Sequence, residues 1–552
     1  MTPRITRRQA LKASGLAGLG ITLLGACAPS PTRPARENPA APQPAASGPR
    51  TGGTFRFYLT QENPPSLDPY LNVSFRSQYF AAFFYSRLLM PKKGPGIAPY
   101  AYLMEGDLAE SWKVSDDGKT YTFTLRPEAK WHDKPPLNGR PVTAQDVVWS
   151  FERFMRVSPQ KTSFEQVADV SAPNERTVQF RLKDVYAPFE LNIGGPMFWI
   201  MPGEVIEQDG DATKRVVGSG PFLFEKLESG VGFTAKKNPA YYRPGEPRLD
   251  EIFAAIIPDV ATRMAGLRGR ELDAADVEQQ DLESLKKSNP ELQIVESPWL
   301  YIPFVYWKLD RPPFNDARVR QAVSMGINRD ERLKIIYNGR GNWNNFIPWA
   351  LSEWWLDPRG PEMGPNARYY RYDPAEARRL LAAAAYPNGF QVDLISTPGY
   401  GQIWVQSVEL MQQDLKAIGI DATIKMQEYS AYIATTFAGQ FEGGLVYGLE
   451  TPFTEPHDFL YNMYHPKGTR NHASVNDPRL AEMIERQMRT LDRAERKQQI
   501  FEIQRYLAEQ MYYPPNSVGY RSFGLQPYVR DFYFPSDYGI GAEVLPKAWL
   551  DK

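Results

Sequence analysis

The stretch Gln391-Val392-Asp393-Leu394-Ile395, then Gln402 to Ile418, then Gly419, then Asp421-Ala422-Thr423-Ile424-Lys425-Met426-Gln427 decides the fold. Val392 with Leu394, and later Ala422 with Ile424 and Met426, alternate at the period of two that half-buried strands require. The segment between them is amphipathic at the helical period, and Gly419 stands where a helix stop needs conformational freedom. Strand, helix and strand in so short a span predict a βαβ unit, hence a largely parallel sheet covered by helices.

Working outward, Asn315 precedes a helix carrying Val319, Ala322, Val323 and Ile327, and Asp373 caps another, with Pro374 at its first position and Glu376 completing a capping box. Asp477 to Glu509 is charged and helical in period and reads as one long helix. The N-terminal half is mixed. Thr54 to Leu59 is a strand, and Glu110 to Val114 with Lys119 to Leu125 flank an Asp116-Asp117-Gly118 hairpin turn. Thr143 and Asp146 cap a helix that carries Val147, Val148, Phe151, Phe154 and Met155, and Thr177 to Leu182 alternates again. No internal repeat recurs at a fixed period.

The chain has 552 residues, long enough for two or three domains, and its 64 basic and 64 acidic side chains leave no large net field. A nucleic-acid partner held by bulk positive charge is therefore not expected. One cysteine and four histidines exclude a disulfide scaffold and a site built from several thiolates.

The N-terminus gives the compartment. Arg4, Arg7, Arg8 and Lys12 precede an uncharged run from Ala13 to Ala26, about 21 Å as a helix and too short for a bilayer core of about 30 Å. This is an export signal, 1–26. Arg7-Arg8 with Leu11 and Lys12 resembles a twin-arginine signal, although Ala10 replaces the usual aromatic, so general secretion stays open. Leu24-Gly25-Ala26-Cys27 resembles a lipobox whose cysteine is lipidated. Removing the signal leaves 60 basic against 64 acidic residues. Residues 27–50, rich in Pro and Ala, read as an extended tether.

Several stretches resemble the bacterial extracellular solute-binding proteins of family 5, or cluster C, which serve peptide-, dipeptide- and nickel-type ABC importers. They are Leu108 to Trp112, Thr120 to Arg126, Trp131-His132-Asp133, Val142 to Phe151, Gly218 to Phe222, Asn238-Pro239 with Tyr241-Tyr242, and Pro313-Phe314-Asn315-Asp316 with Arg318 to Ala322. The resemblance implies an α/β periplasmic-binding-protein type II fold, with two lobes, a hinge and an extra subdomain in lobe one. Lobe one would be 51–303 plus 516–552, its subdomain about 78–184, and lobe two 304–515. The hinge would run through Tyr301 to Tyr306 and Pro514 to Val518.

It further implies a monomeric, lipid-anchored extracytoplasmic protein that delivers a peptide-like solute to a permease and its ATPase subunits, with no cofactor and no membrane contact beyond the anchor. In peptide-binding relatives an aspartate in a Gly-Trp segment meets the solute's amine. Here the segment is Tyr447-Gly448-Leu449-Glu450-Thr451-Pro452-Phe453, with Pro452 where that aspartate would stand and Glu450 two residues earlier. Tyr447, Gly448, Glu450 and Phe453 are therefore candidate ligand residues, as are Glu62, Asn63, Tyr85, Trp343, Asn344 and Asn345. Core packing competes with this role for each aromatic, and a solvated loop position competes for Glu450. Oligosaccharides, opine-like compounds and metal chelates stay open beside peptides.

His457, His465 and His472 lie close in sequence, yet their spacing fits no single helical face, and surface histidines in a loop are expected. His132 is expected to be a structural hydrogen-bonding residue. No Gly-x-Ser-x-Gly, phosphate-loop or His-Glu-x-x-His motif occurs, so no catalytic residue is assigned; a secreted hydrolase or a ligand sensor on the same fold is the alternative of another class.

Overall fold

The computed structural model describes residues 48–59, 66–72, 75–450, 455–535 and 539–552; the export signal, Cys27 and the tether up to residue 47 lie outside them. Among the described residues no helix is long and apolar enough to cross a membrane.

Two hydrophobic cores organise the chain from Pro49 onward. The first gathers residues from Phe55 to Leu285 together with Phe523 to Leu550, so the chain's end returns to its beginning. Its central sheet pairs Thr54–Leu59 in parallel with Glu251–Ile256, which runs antiparallel to Gly232–Lys237, itself paired with Phe222–Glu228. Helix Phe75–Phe84 packs on this sheet with almost every described side chain buried, because Phe80, Phe83 and Phe84 meet Phe233 edge-on at 5.0–6.1 Å. A smaller sheet joins Ala274–Val277, Tyr520–Leu525 and Gln293–Pro298.

The hairpin forms as expected, Ala109–Val114 against Thr120–Leu125, and extends through Thr177–Leu182 and Val167–Asn174 into four antiparallel strands. Helix Ala144–Val157 covers them with the expected capping box, Thr143 accepting from the Asp146 N–H and Asp146 from the Thr143 N–H. Arg153 on that helix reaches Asp68 through two hydrogen bonds of 2.5 and 3.2 Å, both groups essentially without water.

The landmark Gly218-Ser219-Gly220 has a packing cause. His132 accepts from the Gly218 N–H through Nδ1 at 3.1 Å, and its Nε2 lies 3.1 Å from the Gly220 carbonyl. A Cβ on Gly218 would fall 1.9 Å from the Phe84 carbonyl oxygen. Burial lowers the His132 pKa to about 4, so it stays a neutral structural brace.

The second core gathers residues from Leu300 to Val518 with Tyr100 and Tyr102. Its sheet runs in the order Ile302–Tyr306, Leu445–Glu450, Phe390–Ser396, Ile420–Met426, the last three strands parallel and the first antiparallel to its neighbour. The βαβ unit is present as read, with helix Gln402–Ala417 between the last two strands. Two expectations change. Asp477 to Glu509 is two helices, Pro478–Met488 and Arg493–Gln510, because Asp492 accepts from the Glu495 N–H and starts the second. The histidines are buried, His457 inside helix Pro456–Tyr464, since Gln487, Glu485 and the Tyr306 ring engage them one by one.

The chain passes from the first core into the second near Trp299 and returns near Val518, and these two passes are bonded to each other. Asn516 N–H donates to the Pro303 carbonyl at 2.8 Å and Trp299 N–H to the Gly519 carbonyl at 3.2 Å. Arg329, fully buried, donates to the carbonyls of Pro515, Ser324 and Tyr370 at 2.8–3.0 Å.

Arg153→Leu strands Asp68 without its buried partner and is expected to lower unfolding stability by about 3–5 kcal/mol, read as a shift in the urea transition. The double variant Asp68→Asn with Arg153→Met should recover a large part of that loss; an unchanged midpoint in the single variant would show that the pair contributes nothing.

Candidate functional site

The three parallel strands of the second core end on one edge, at Ser396, Met426 and Glu450. In open α/β sheets the carboxyl edge is where ligands sit, since the chain leaves it in loops and helices begin there. Thr397 opens the connection after the first of these strands, and helix Gln402–Ala417 starts after Tyr400 with no side chain capping it. In the first core, strand Ala274–Val277 ends directly before Glu278.

At the end of strand Ala274–Val277, facing Ile336, Tyr337 and Ile403, lies a cavity of about 290 Å³. Asp276, Glu278 and Gln279 form one wall together with Tyr520, Arg521 and Ser522. Tyr337 and Ile403 come from the second core, and Trp299 stands where the chain crosses.

The wall is rigidly held. Arg340 grips Glu296 through two hydrogen bonds of 2.5 and 2.8 Å and reaches Gln279 Oε1 at 3.3 Å. Gln279 Nε2 donates in turn to Ser522 Oγ at 2.8 Å, and Ser522 Oγ to Glu296 at 2.7 Å. Asp276 is paired with Arg263 at 3.0 Å. Across the cavity the Tyr337 and Tyr301 hydroxyls share a hydrogen bond of 2.7 Å.

Behind Tyr337 the Arg332 guanidinium lies over the Tyr447 ring at 5.3 Å and donates to the Ser407 carbonyl at 3.4 Å. Asp414 faces it from helix Gln402–Ala417 and accepts from the Asn328 N–H at 3.1 Å. Burial raises the Asp414 pKa to about 7, against the opposing pull of that N–H and of Arg332 and Arg329.

The residues singled out from sequence fall elsewhere or deeper. Glu62, Asn63 and Phe453 lie outside the described residues. Tyr85 is buried in the first core, and Tyr447 beneath Trp404 with ring centroids 4.8 Å apart. Gly448 is a packing glycine, since a Cβ there would come within 2.6 Å of the Tyr306 ring. Trp343 donates to Asp330 at 2.8 Å, Asn344 to the Tyr301 carbonyl at 3.2 Å and Asn345 to the Leu356 carbonyl at 2.8 Å, so their polar groups serve the fold.

Glu450 is fully buried and paired with Arg470, with His472 Nε2 3.9 Å away, which removes the solvated-loop alternative. Sequence reasoning missed Glu278, Trp299, Ile403 and Arg521. The available signal was position, since Glu278 directly follows the end of strand Ala274–Val277 and Ile403 opens the helix of the βαβ unit.

A family model for the middle region of bacterial extracellular solute-binding proteins, family 5, matches residues 104–471. Di/tripeptide-binding protein 1 of Pseudomonas aeruginosa (strain UCBPP-PA14) is 28% identical over 435 residues, 73% of this chain and 78% of that one. Heme-binding protein A of Haemophilus influenzae is 26% identical over 535 residues, 88% of this chain and 90% of the other. Among solved structures, the periplasmic binding protein DppA of Helicobacter pylori in complex with peptide STSA superposes with a TM-score of 0.74 at 26% identity, covering 91% of this chain and 99% of that one. The architecture is accordingly the two-lobe periplasmic-binding-protein fold.

Asp414 binds a proton more tightly when folded than its ordinary value of 3.8 allows. That stabilisation is complete below pH 4 and is lost as pH rises through about 7. Asp414→Asn, which keeps an acceptor for Asn328, is expected to gain melting temperature relative to the parent between pH 4 and pH 8. A difference that stays flat across that range would show an ordinary carboxylate.

Proposed function

The chain belongs to the bacterial extracellular solute-binding proteins of family 5, and on that premise we propose that it captures a peptide-like solute between its lobes and delivers it to the permease of an ABC importer. The observation that carries this reading is the cavity between the two cores, walled by Asp276 to Gln279 and Tyr520 to Ser522 on one side and by Ile336, Tyr337 and Ile403 on the other, and set beside the paired crossings. The volume, near the lower end of the about 300–1,000 Å³ usual for small-molecule sites, suits a di- or tripeptide-sized solute better than a long chain. The name of the Pseudomonas relative and the peptide held by the Helicobacter structure point the same way.

The lobes are proposed to be 51–303 with 516–552, and 304–515, with the extra subdomain at about 78–184. The division of the cores at Leu300 and Val518 supports those limits. The paired crossings would be the hinge, and solute that contacts both walls would favour the closed arrangement by its differential affinity. Only that arrangement would present both lobes together to the permease, whose ATPases drive transport. Cys27 would anchor the mature chain by its lipid, and residues 27–50 would give it reach. No chemistry on the solute is required.

A second reading keeps the fold and role but changes the cargo to a non-peptide solute. It is favoured by Pro452 in place of the relatives' aspartate and by the engagement of Glu450 with Arg470.

Full-length protein purified in detergent should release a small molecule between native and denaturing mass spectra. Release of short peptides is the expected outcome, and release of a sugar, haem or opine would replace the cargo. Ligand at about 100 times its dissociation constant should add roughly 2.7 kcal/mol of stability. Cys27→Ser should move the chain from the membrane fraction to the soluble extracytoplasmic fraction; retention at the membrane would refute the lipid anchor.

A further inference from the structure

Resting on the cavity as the solute site, we propose that Glu278 receives a cationic nitrogen of the bound solute beside the ring of Trp299, so that the chain selects solutes bearing an ammonium or guanidinium group. The carboxylates around the site separate into two kinds. Beside the cavity Asp276 is held by Arg263 at 3.0 Å and Glu296 by Arg340 at 2.5 Å, and elsewhere in the second core Glu455 is held by Arg496 at 2.5 Å and Glu450 by Arg470. Each already has its cation and serves the fold. Glu278 has none: among the described residues its carboxylate makes no hydrogen bond and no ion pair, although it is half-buried and lines the cavity.

The groups that face Glu278 do not compensate it. Burial and the neighbouring charge of Asp276 raise its pKa, Asp281 adds to that, and the guanidinium groups of Arg263 and Arg521 oppose the rise without overcoming it. Glu278 thus presents a carboxylate with no bonded cation on a wall that also carries Arg521, and an ammonium or guanidinium group of the solute would pair with it there. Trp299 provides the second element. It lines the same cavity, remains 36% exposed, and rests only an edge-on contact on Tyr301 with centroids 5.0 Å apart. An exposed indole face next to a carboxylate is a receptor for a cation with some apolar body. This places the solute's amine on the first core's wall, away from Glu450.

The test is a thermal-shift and calorimetry panel on the full-length chain and its Glu278→Gln variant. It uses dialanine and trialanine, their N-acetyl forms, agmatine and putrescine as non-peptide cations, and maltotriose and citrate as neutral and anionic solutes. Binding of the free-amine peptides that is lost on N-acetylation and weakened about tenfold to hundredfold by Glu278→Gln supports both this proposal and the peptide reading. Binding of agmatine or putrescine alone, weakened equally by the variant, keeps the proposal and removes the peptide reading. Cationic solutes bound equally by parent and variant, binding confined to N-acetyl peptides, maltotriose or citrate, or no binding by any member overturns it. A structural role is separated by the solute-free melting temperature at pH 8, which should stay level or rise in Glu278→Gln because an uncompensated buried charge is removed.

Discussion

Two extended strands of backbone crossing side by side are the constraint on which the rest of the molecule depends. Because Asn516 bonds Pro303 and Trp299 bonds Gly519, the two passes form a narrow ribbon and not two independent linkers. Arg329 fixes one side of that ribbon by feeding three carbonyls from a site that excludes water, and burial lowers its pKa only to about 10, so it stays charged at neutral pH. A carbonyl cluster of this kind would be poorly satisfied by any aliphatic side chain. Each core can close around its own sheet, and the space left between them is the cavity.

Several buried charges are used in one way. Arg153 with Asp68, Arg87 with Glu543 and Arg496 with Glu455 join segments remote in sequence, and each pair is nearly dry. Such pairs add little net stability over apolar packing but penalise any arrangement that separates them, so they specify which segments meet. Glu278 lies outside that pattern, as do Asp414 and Asp458, and of the three it is the one that lines the cavity.

The local layer of the fold could be read from the sequence. The βαβ unit, the Asp116–Gly118 hairpin and the Thr143–Asp146 box depend on residues a few positions apart, and all stand where periodicity and capping put them. The long C-terminal helix failed at Asp492, where a cap inside a continuous helical period was outvoted by the pattern around it. The histidines failed because burial is a tertiary fact: each is covered by a partner that its own neighbourhood does not contain. The cavity was illegible for the same reason. Asp276, Ile403 and Tyr520 come from three distant parts of the chain, and no window of sequence contains them together.

That the cavity is walled by the ends of strands, while the strands are held by packing elsewhere, separates two kinds of inheritance. Residues such as Phe233 or Leu394 are fixed by neighbours on every side, so change there is felt by the whole lobe. Residues that line the cavity, such as Glu278 and Trp299, are not fully buried and carry fewer such constraints. A lineage can therefore exchange cargo through a few positions without rebuilding its scaffold, and relatives named for haem or for short peptides are the historical record expected of such a molecule.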